Sequence, residues 1–277
     1  ASMSSEKLQK VLARAGLGSR RAMEAVIEAG RVEVNQRTAR LGDRVEPSDR
    51  IRVDGRPLSQ RRTAPAQRRV IAYHKPTGEL VSRHDPEGRR CVFDRLPRLE
   101  QGRWIAIGRL DINTSGLLLL TTDGELASRL MHPRYRLLRD YAVRIFGAVE
   151  PSTIERLMSG VELEDGRAAF ESIQALESRE AANQWFRVRL REGRNRLVRR
   201  LWESQGVRVS RLMRVQYGPI ELPAGLREGQ TDWLSAGQVR HLAGLVGLER
   251  DETARPPGRG RPGGGGPRRR PAPRHRG

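Results

Sequence analysis

The sequence predicts an α+β protein: a small N-terminal unit of two helices and short strands, then a larger domain. The larger domain reads as a mixed, mainly antiparallel sheet with flanking helices. Three observations carry this expectation. Strand-like and helix-like runs do not alternate regularly along the middle of the chain. No glycine-rich phosphate loop stands at a strand-to-helix junction, which argues against a doubly wound nucleotide fold. Composition changes near residues 59 and 248, dividing the chain into 5–58, 59–68, 69–247 and 248–277.

In the first segment Ser5 can cap a helix whose apolar residues Leu8, Val11, Leu12 and Ala15 fall at i, i+3, i+4 and i+7, with Gly16 as its stop. Ser19 can cap a second helix that places Ala22, Val26 and Ala29 on one face, ending at Gly30. "RVEVNQR" and "DRIRVDG" then alternate as short strands, with Val32 and Val34 in one and Ile51 and Val53 in the other. Residues 59–68, "SQRRTAPAQR", are polar and contain Pro65, as a linker would.

The large middle segment holds strand-like runs at "RRVIAYHK", "DYAVRIFG" and "WFRVRLREG", and helix-like runs at "ASRLMHP", "PSTIERLMSG" and "RLVRRLWESQG". "WIAIGRLD" reads as a strand ending in a carboxylate, "INTSG" as a loop and "LLLLTT" as a buried strand. Asp123-Gly124 has the dipeptide signature of a tight turn. Residues 248–277 are rich in Arg, Gly and Pro with almost nothing apolar, and cannot bury enough surface to fold.

Charge narrows the function. Lys and Arg number 53 against 33 acids, for a net charge of +20, which points to a polyanion and foremost to nucleic acid. A basic membrane-surface protein would want an aromatic, amphipathic anchor, and only 4% of residues are aromatic. No apolar run approaches the roughly 20 residues that cross a bilayer, and "ASMSSEKLQK" lacks a signal core. The one cysteine, Cys91, cannot form a disulfide within the chain and reads as a small buried hydrophobe. These features together suggest the cytoplasm. No two of the five histidines have zinc-ligand spacing, and "NTSGL" is not a serine-nucleophile elbow. Asp111 lies at the end of a strand beside buried core. By spacing alone it can be a turn cap through Thr114 or Ser115, or a reactive carboxylate in basic surroundings.

Two resemblances sharpen these readings. "EKLQKVLARAGLGSRRAMEAVIEAGRVEVNQRTARLGDRV" resembles the S4 RNA-binding domain over about residues 5–58, with Gln36 where the family often has Gly. It implies binding of structured RNA through a basic helical face bearing Lys7, Lys10, Arg14, Arg20 and Arg21. "GRLDINTSGLLLLTTDG" (108–124) resembles the central motif of pseudouridine synthases that modify single uridines in ribosomal RNA. Residues 73–97, 139–147 and 192–226 resemble that family's opening strand and loop, tyrosine motif and basic third motif.

The second resemblance implies roles. Asp111 is the nucleophile, or the base at the ribose, that breaks the uridine N1–C1′ bond. Arg199 is its basic partner, and Tyr141 stacks on the base and helps remove the C5 proton. Arg109 steadies the gap left by a flipped uridine. Asn195 and Arg196 lie at the pocket mouth, and Arg200 joins them in holding RNA. The family's chemistry implies no cofactor and no metal, because both halves of the reaction occur on one nucleoside. The implied substrate is a 23S rRNA hairpin, bound by a monomer. A small-subunit 16S rRNA synthase, or a non-catalytic S4-type rRNA-binding assembly factor, is the alternative.

Overall fold

The computed structural model describes residues 5–63, 67–177 and 182–248. The Arg/Gly/Pro-rich segment that follows lies outside the described residues, apart from Leu248 at its start.

The N-terminal unit opens with the short strand Glu6–Lys7, paired antiparallel with Arg44–Val45, followed by the helix Leu8–Arg14. Leu8, Val11, Leu12 and Ala15 are all buried, as their spacing requires. Ser5 does not cap this helix. The N-cap is Lys7, with no side-chain bond, and the Ser5 hydroxyl instead accepts from Arg44 Nε at 3.0 Å. The second helix, Arg20–Glu28, is capped by Ser19, whose hydroxyl accepts from Ala22 N–H at 3.0 Å. Its buried face is formed by Met23 and Ile27, with Val26 only partly buried and Ala22 and Ala29 exposed. The expected face was therefore displaced by one position: the long side chains remove more apolar area from water than two alanine methyls.

A separate sheet of four short strands completes this unit, in the order 37–38, 32–34, 51–53, 56–57. Both tight hairpins turn through two residues of positive φ, Asn35-Gln36 (49° and 68°) and Asp54-Gly55 (50° and 74°). Those angles match the twist of antiparallel strands. Gln36 thus adopts the conformation that a glycine would reach more cheaply. The Asn35 amide holds the turn, donating to Asp49 at 2.8 Å and accepting from Arg50 N–H at 2.9 Å. The segment expected to be a plain linker carries a helical turn, Gln60–Thr63. Arg14 donates to the Thr63 carbonyl at 2.6 and 3.2 Å, tying that turn to the first helix.

The larger unit is built on one long sheet in the order 172–176, 183–190, 139–146, 209–217, 115–121, 70–75, 231–233, with a separate hairpin pairing 161–163 and 166–168. Strand 105–107 also pairs with 115–121, and 220–221 with 209–217. Every pairing is antiparallel except that of 209–217 with 115–121. The sheet is therefore mixed and mainly antiparallel, as the sequence predicts. Helices Gly124–Met131 and Ala236–Leu245 cover a core that includes Leu117, Leu119 and Tyr217. Alternate residues Leu118 and Leu120 face a second core with Ile71, Tyr73 and Trp104. Helices Pro151–Ser159 and Leu197–Glu203 cover the other half of the sheet.

Two details fix the centre. Gly116 has φ 105°, and a Cβ there would lie 2.2 Å from the Arg214 carbonyl oxygen. Only glycine lets the parallel pair of strands approach so closely. Asp123 is not part of a tight turn. It caps the helix Gly124–Met131, accepting from Glu125 and Leu126 N–H at 2.8 and 3.3 Å and from Arg68 Nε at 2.7 Å. A helix start explains the same Asp-Gly dipeptide, because aspartate satisfies the orphan N–H groups.

Candidate active site

The strand Ile105–Ile107 delivers the chain to a loop, and Ser115–Thr121 carries it back through the middle of the sheet. Leu110 is buried in the core between them and pins the loop. The next residue, Asp111, points outward, with its side chain 36% exposed. The turn is closed by backbone: Thr114 N–H donates to the Asp111 carbonyl at 3.0 Å. The carboxylate itself meets Arg196 Nη1 at 3.6 Å.

Beneath the loop lies a cation that the sequence reading did not single out. Lys75 ends the strand Val70–Lys75 and is fully buried. Its ammonium donates to the carbonyls of Thr114 at 2.7 Å and Pro76 at 3.0 Å, and lies 3.5 Å from that of Ile112. Burial pulls its pKa down to about 8, while Glu79, Asp111 and Glu228 act in the opposite direction. Gly78 N–H also donates to the Ile112 carbonyl, at 2.7 Å. The loop is thus held from below by the "YHKPTG" segment. The signal was a lysine closing a run of apolar strand residues, where a charge is expensive unless it has partners.

The basic third motif closes the other side. Arg196 takes a left-handed conformation, φ 51°, immediately before the helix Leu197–Glu203. Arg199, one turn further, is buried and donates from Nη2 to the Asn113 carbonyl at 2.9 Å. Burial lowers its pKa, Arg196 lowers it further, and Asp111 and Glu203 act against this. The arginine in ion-pair contact with Asp111 is therefore Arg196, whereas Arg199 grips the loop two residues on. Arg200 is turned to Asp165, at 2.8 and 3.0 Å, and to the Asn195 carbonyl at 2.9 Å. Asn195 and Arg109 are exposed.

Tyr141 sits on the strand Arg139–Phe146, beside a register shift, opposite Val188 on one neighbour and Arg214 on the other. It is half-buried and packs against the two cores that meet at the middle of the sheet. Arg214, which the sequence reading also passed over, is buried and donates from Nε to the Leu117 carbonyl at 2.8 Å. Asp140, next to Tyr141, is buried under Arg187 and Arg189, at 2.8 Å each. Burial would raise its pKa, but the bonds from Arg189 and Arg187 hold it below the usual carboxylate range. Asp140 thus clamps two neighbouring strands, 139–146 and 183–190, and does not face solvent.

The five basic residues assigned to the S4 surface divide into two groups. Lys7, Arg20 and Arg21 are exposed. Lys10 pairs with Glu6 at 3.0 Å and Glu125 at 3.7 Å, and Arg14 with both Glu6 oxygens at 2.9 Å. Cys91 is buried, and burial pushes its thiol pKa up. No helix of the described residues is long and apolar enough to cross a membrane.

Taken together, the loop offers one half-exposed carboxylate, paired with Arg196 and set above two cations, Lys75 and Arg199, whose own groups are spent on the loop backbone. Such a carboxylate can approach an electrophilic carbon while its charge is favoured by neighbours.

Known proteins resemble this chain over most of its length. Residues 69–204 match the family model described as RNA pseudouridylate synthase, and residues 6–51 match the S4 domain. The chain is 59% identical over 246 residues to the ribosomal large subunit pseudouridine synthase B of Salmonella typhimurium, covering 88% of this chain and 84% of that protein. The protein of the same name from Escherichia coli K12 gives the same figures. That from Haemophilus influenzae is 56% identical over 88% of this chain and 68% of its own length. A solved structure titled "Crystal structure of pseudouridylate synthase" aligns with TM-score 0.58 and 23% identity, over 85% of this chain and 99% of that one, a likeness of fold.

Proposed function

The chain belongs to the RNA pseudouridylate synthase family, and we propose from that premise that it converts one uridine of 23S ribosomal RNA to pseudouridine, with Asp111 as the reactive carboxylate. Relatives that share 55–59% identity are named for the large ribosomal subunit, which favours that RNA over the small-subunit alternative.

The observation that carries the residue assignment is the support of the Asp111 loop. Lys75 and Arg199 bind its backbone on either side, so the carboxylate is held without using its own oxygens to hold the loop. In the reaction the C1′–N1 bond breaks, a C1′–C5 bond forms, C5 loses its proton and N1 gains one. A carboxylate oxygen can attack C1′ directly or take a proton from the ribose; either role needs an anion within reach of the sugar. Tyr141, between the two cores, would lie against the base and assist at C5. Arg109, exposed next to the buried Leu110, is suited to enter the gap of the flipped nucleotide. Arg196 and Asn195 would meet the backbone at the mouth.

The S4 domain and the net charge of +20 support an RNA hairpin as substrate. Because one chain carries both the RNA-binding domain and the reactive loop, a monomer in the cytoplasm suffices. Incubating the protein with transcripts of each ribosomal RNA and mapping pseudouridine tests the reading. One modified uridine in the large-subunit RNA is expected; modification of the small-subunit RNA alone, or of neither, overturns it.

A further inference from the structure

We propose that Arg83 and Arg103 form a phosphate clamp at the junction of the S4 domain and the catalytic sheet, holding the RNA backbone between the two. This rests on the reading of the protein as an rRNA-modifying enzyme and adds to it a binding site remote from Asp111.

Arg83 reaches the backbone beside Arg103, and its charge acts on that of Arg103. Arg83 lies 4.5 Å over the Phe93 ring and donates from Nη2 to the carbonyl of Trp104, the residue that follows Arg103. The Nε of Arg103 is buried and has no hydrogen-bond partner among the described residues. Several arginines among the described residues have an acid beside them: Arg95 has Glu79, Arg68 has Asp123, Arg187 and Arg189 have Asp140. Neither Arg83 nor Arg103 has an ion pair with any described carboxylate. Burial lowers the pKa of both, Arg83 lowers that of Arg103 further, and no acid acts in the opposite direction. Two adjacent, partly desolvated cations repel each other and cost stability unless an anion joins them. A phosphate, with several acceptor oxygens, suits two guanidinium forks.

Position connects the pair to both ends of an RNA. Gly102, immediately before Arg103, touches the N-terminal unit: a Cβ on Gly16 would lie 3.4 Å from the Gly102 carbonyl oxygen. That turn leads into the exposed Arg20 and Arg21. On its other side, Arg103 leads through the strand Ile105–Ile107 to Arg109 and Asp111. The six residue steps from Arg103 to Arg109 span at most about 22 Å, a reach of a few nucleotides. The clamp thus lies between the S4 surface and the flipped base.

The test uses the full chain and a transcript of the large-subunit rRNA, with Kd measured from low to moderate salt. Arg83→Gln/Arg103→Gln should flatten the dependence of log Kd on log salt by about one to two units and weaken binding roughly tenfold. Single-turnover conversion at saturating RNA should stay at the wild-type rate. Arg103→Gln alone is the gentler variant, since its Nε has no bond to lose, and should remove up to about one unit of slope; Arg103→Lys should restore it. Wild-type affinity and slope in folded Arg103→Gln and in the double variant would overturn the clamp while leaving the enzyme reading intact. Failure of the wild-type protein to bind or convert the transcript would instead remove the reading on which the clamp rests.

Discussion

Lys75 donates to the Thr114 carbonyl across 2.7 Å, joining the end of one sheet strand to the last residue of the loop that bears Asp111. A fully buried ammonium is a costly way to hold a loop, and the cost has a pH signature. The pKa of Lys75 lies near 8 in the folded chain, against 10.5 ordinarily. Between those values the unfolded chain binds more protons, so this group makes stability rise with pH. Below pH 8 both states are protonated and the contribution is flat. The stability difference between wild type and Lys75→Met should therefore shift in favour of the wild type by about 3 kcal/mol from pH 7.5 to 10.5. Denaturant unfolding at the two pH values measures it. An unchanged difference would refute the buried ammonium.

Gly116 should tolerate no side chain. Its Cβ would fall 2.2 Å from the Arg214 oxygen and 2.7 Å from the Arg214 nitrogen, both backbone atoms that cannot swing away. Gly116→Ala should cost more than about 3 kcal/mol, or prevent folding. Gly108 has a similar positive φ, 79°, but open space around its Cβ position. Gly108→Ala should cost only the backbone strain, about 1–2 kcal/mol. Equal losses in thermal unfolding would show that strain, and not the approach of the parallel strands, decides at Gly116.

Much of this architecture was legible in the sequence, and the misses share a cause. Periodicity found the helix core Leu8, Val11, Leu12 and Ala15, and the apolar run found the central strand. Local signals were misread where two structures use the same residues. Asp123-Gly124 serves a helix cap as well as a turn, and Ser5 precedes a helix without capping it. The roles of Lys75 and Arg214 depend on strands that lie far apart in sequence: Thr114 is 39 residues from Lys75 and Leu117 is 97 from Arg214. No spacing rule anticipates such pairs. The motif located Asp111, but it did not indicate that Arg196 would stand in ion-pair contact with it while Arg199 binds the loop backbone.

The division of the S4 cations gives a third expectation. Replacing exposed Lys7, Arg20 and Arg21 together should weaken rRNA binding and flatten its salt dependence by up to about three charge units, with the fold intact. Arg14→Gln should do the reverse. It removes two bonds to Glu6 and two to the Thr63 carbonyl, so it should lower stability by about 1–2 kcal/mol and leave the salt slope nearly unchanged. Thermal melts beside filter binding separate the two. A larger loss of slope from Arg14→Gln than from the triple variant would reverse the assignment.

Asp111→Asn should abolish pseudouridine formation while leaving the fold and RNA binding nearly unchanged. The loop does not depend on the carboxylate, since Thr114 N–H bonds the Asp111 carbonyl and Lys75 and Arg199 bind other backbone oxygens. The ion pair with Arg196 is half-exposed and worth at most about 1 kcal/mol, so losing it cannot unfold the chain. What the amide lacks is the negative charge and the nucleophilic oxygen, and water held at that position supplies neither. Were Asp111 only a turn residue, the variant would lose a little stability and keep its turnover. Tritium release from C5-labelled uridine in rRNA, run beside a binding assay and a thermal melt, distinguishes the two. Activity within about tenfold of the parent, a barrier change of only about 1.4 kcal/mol, would remove Asp111 from the chemistry.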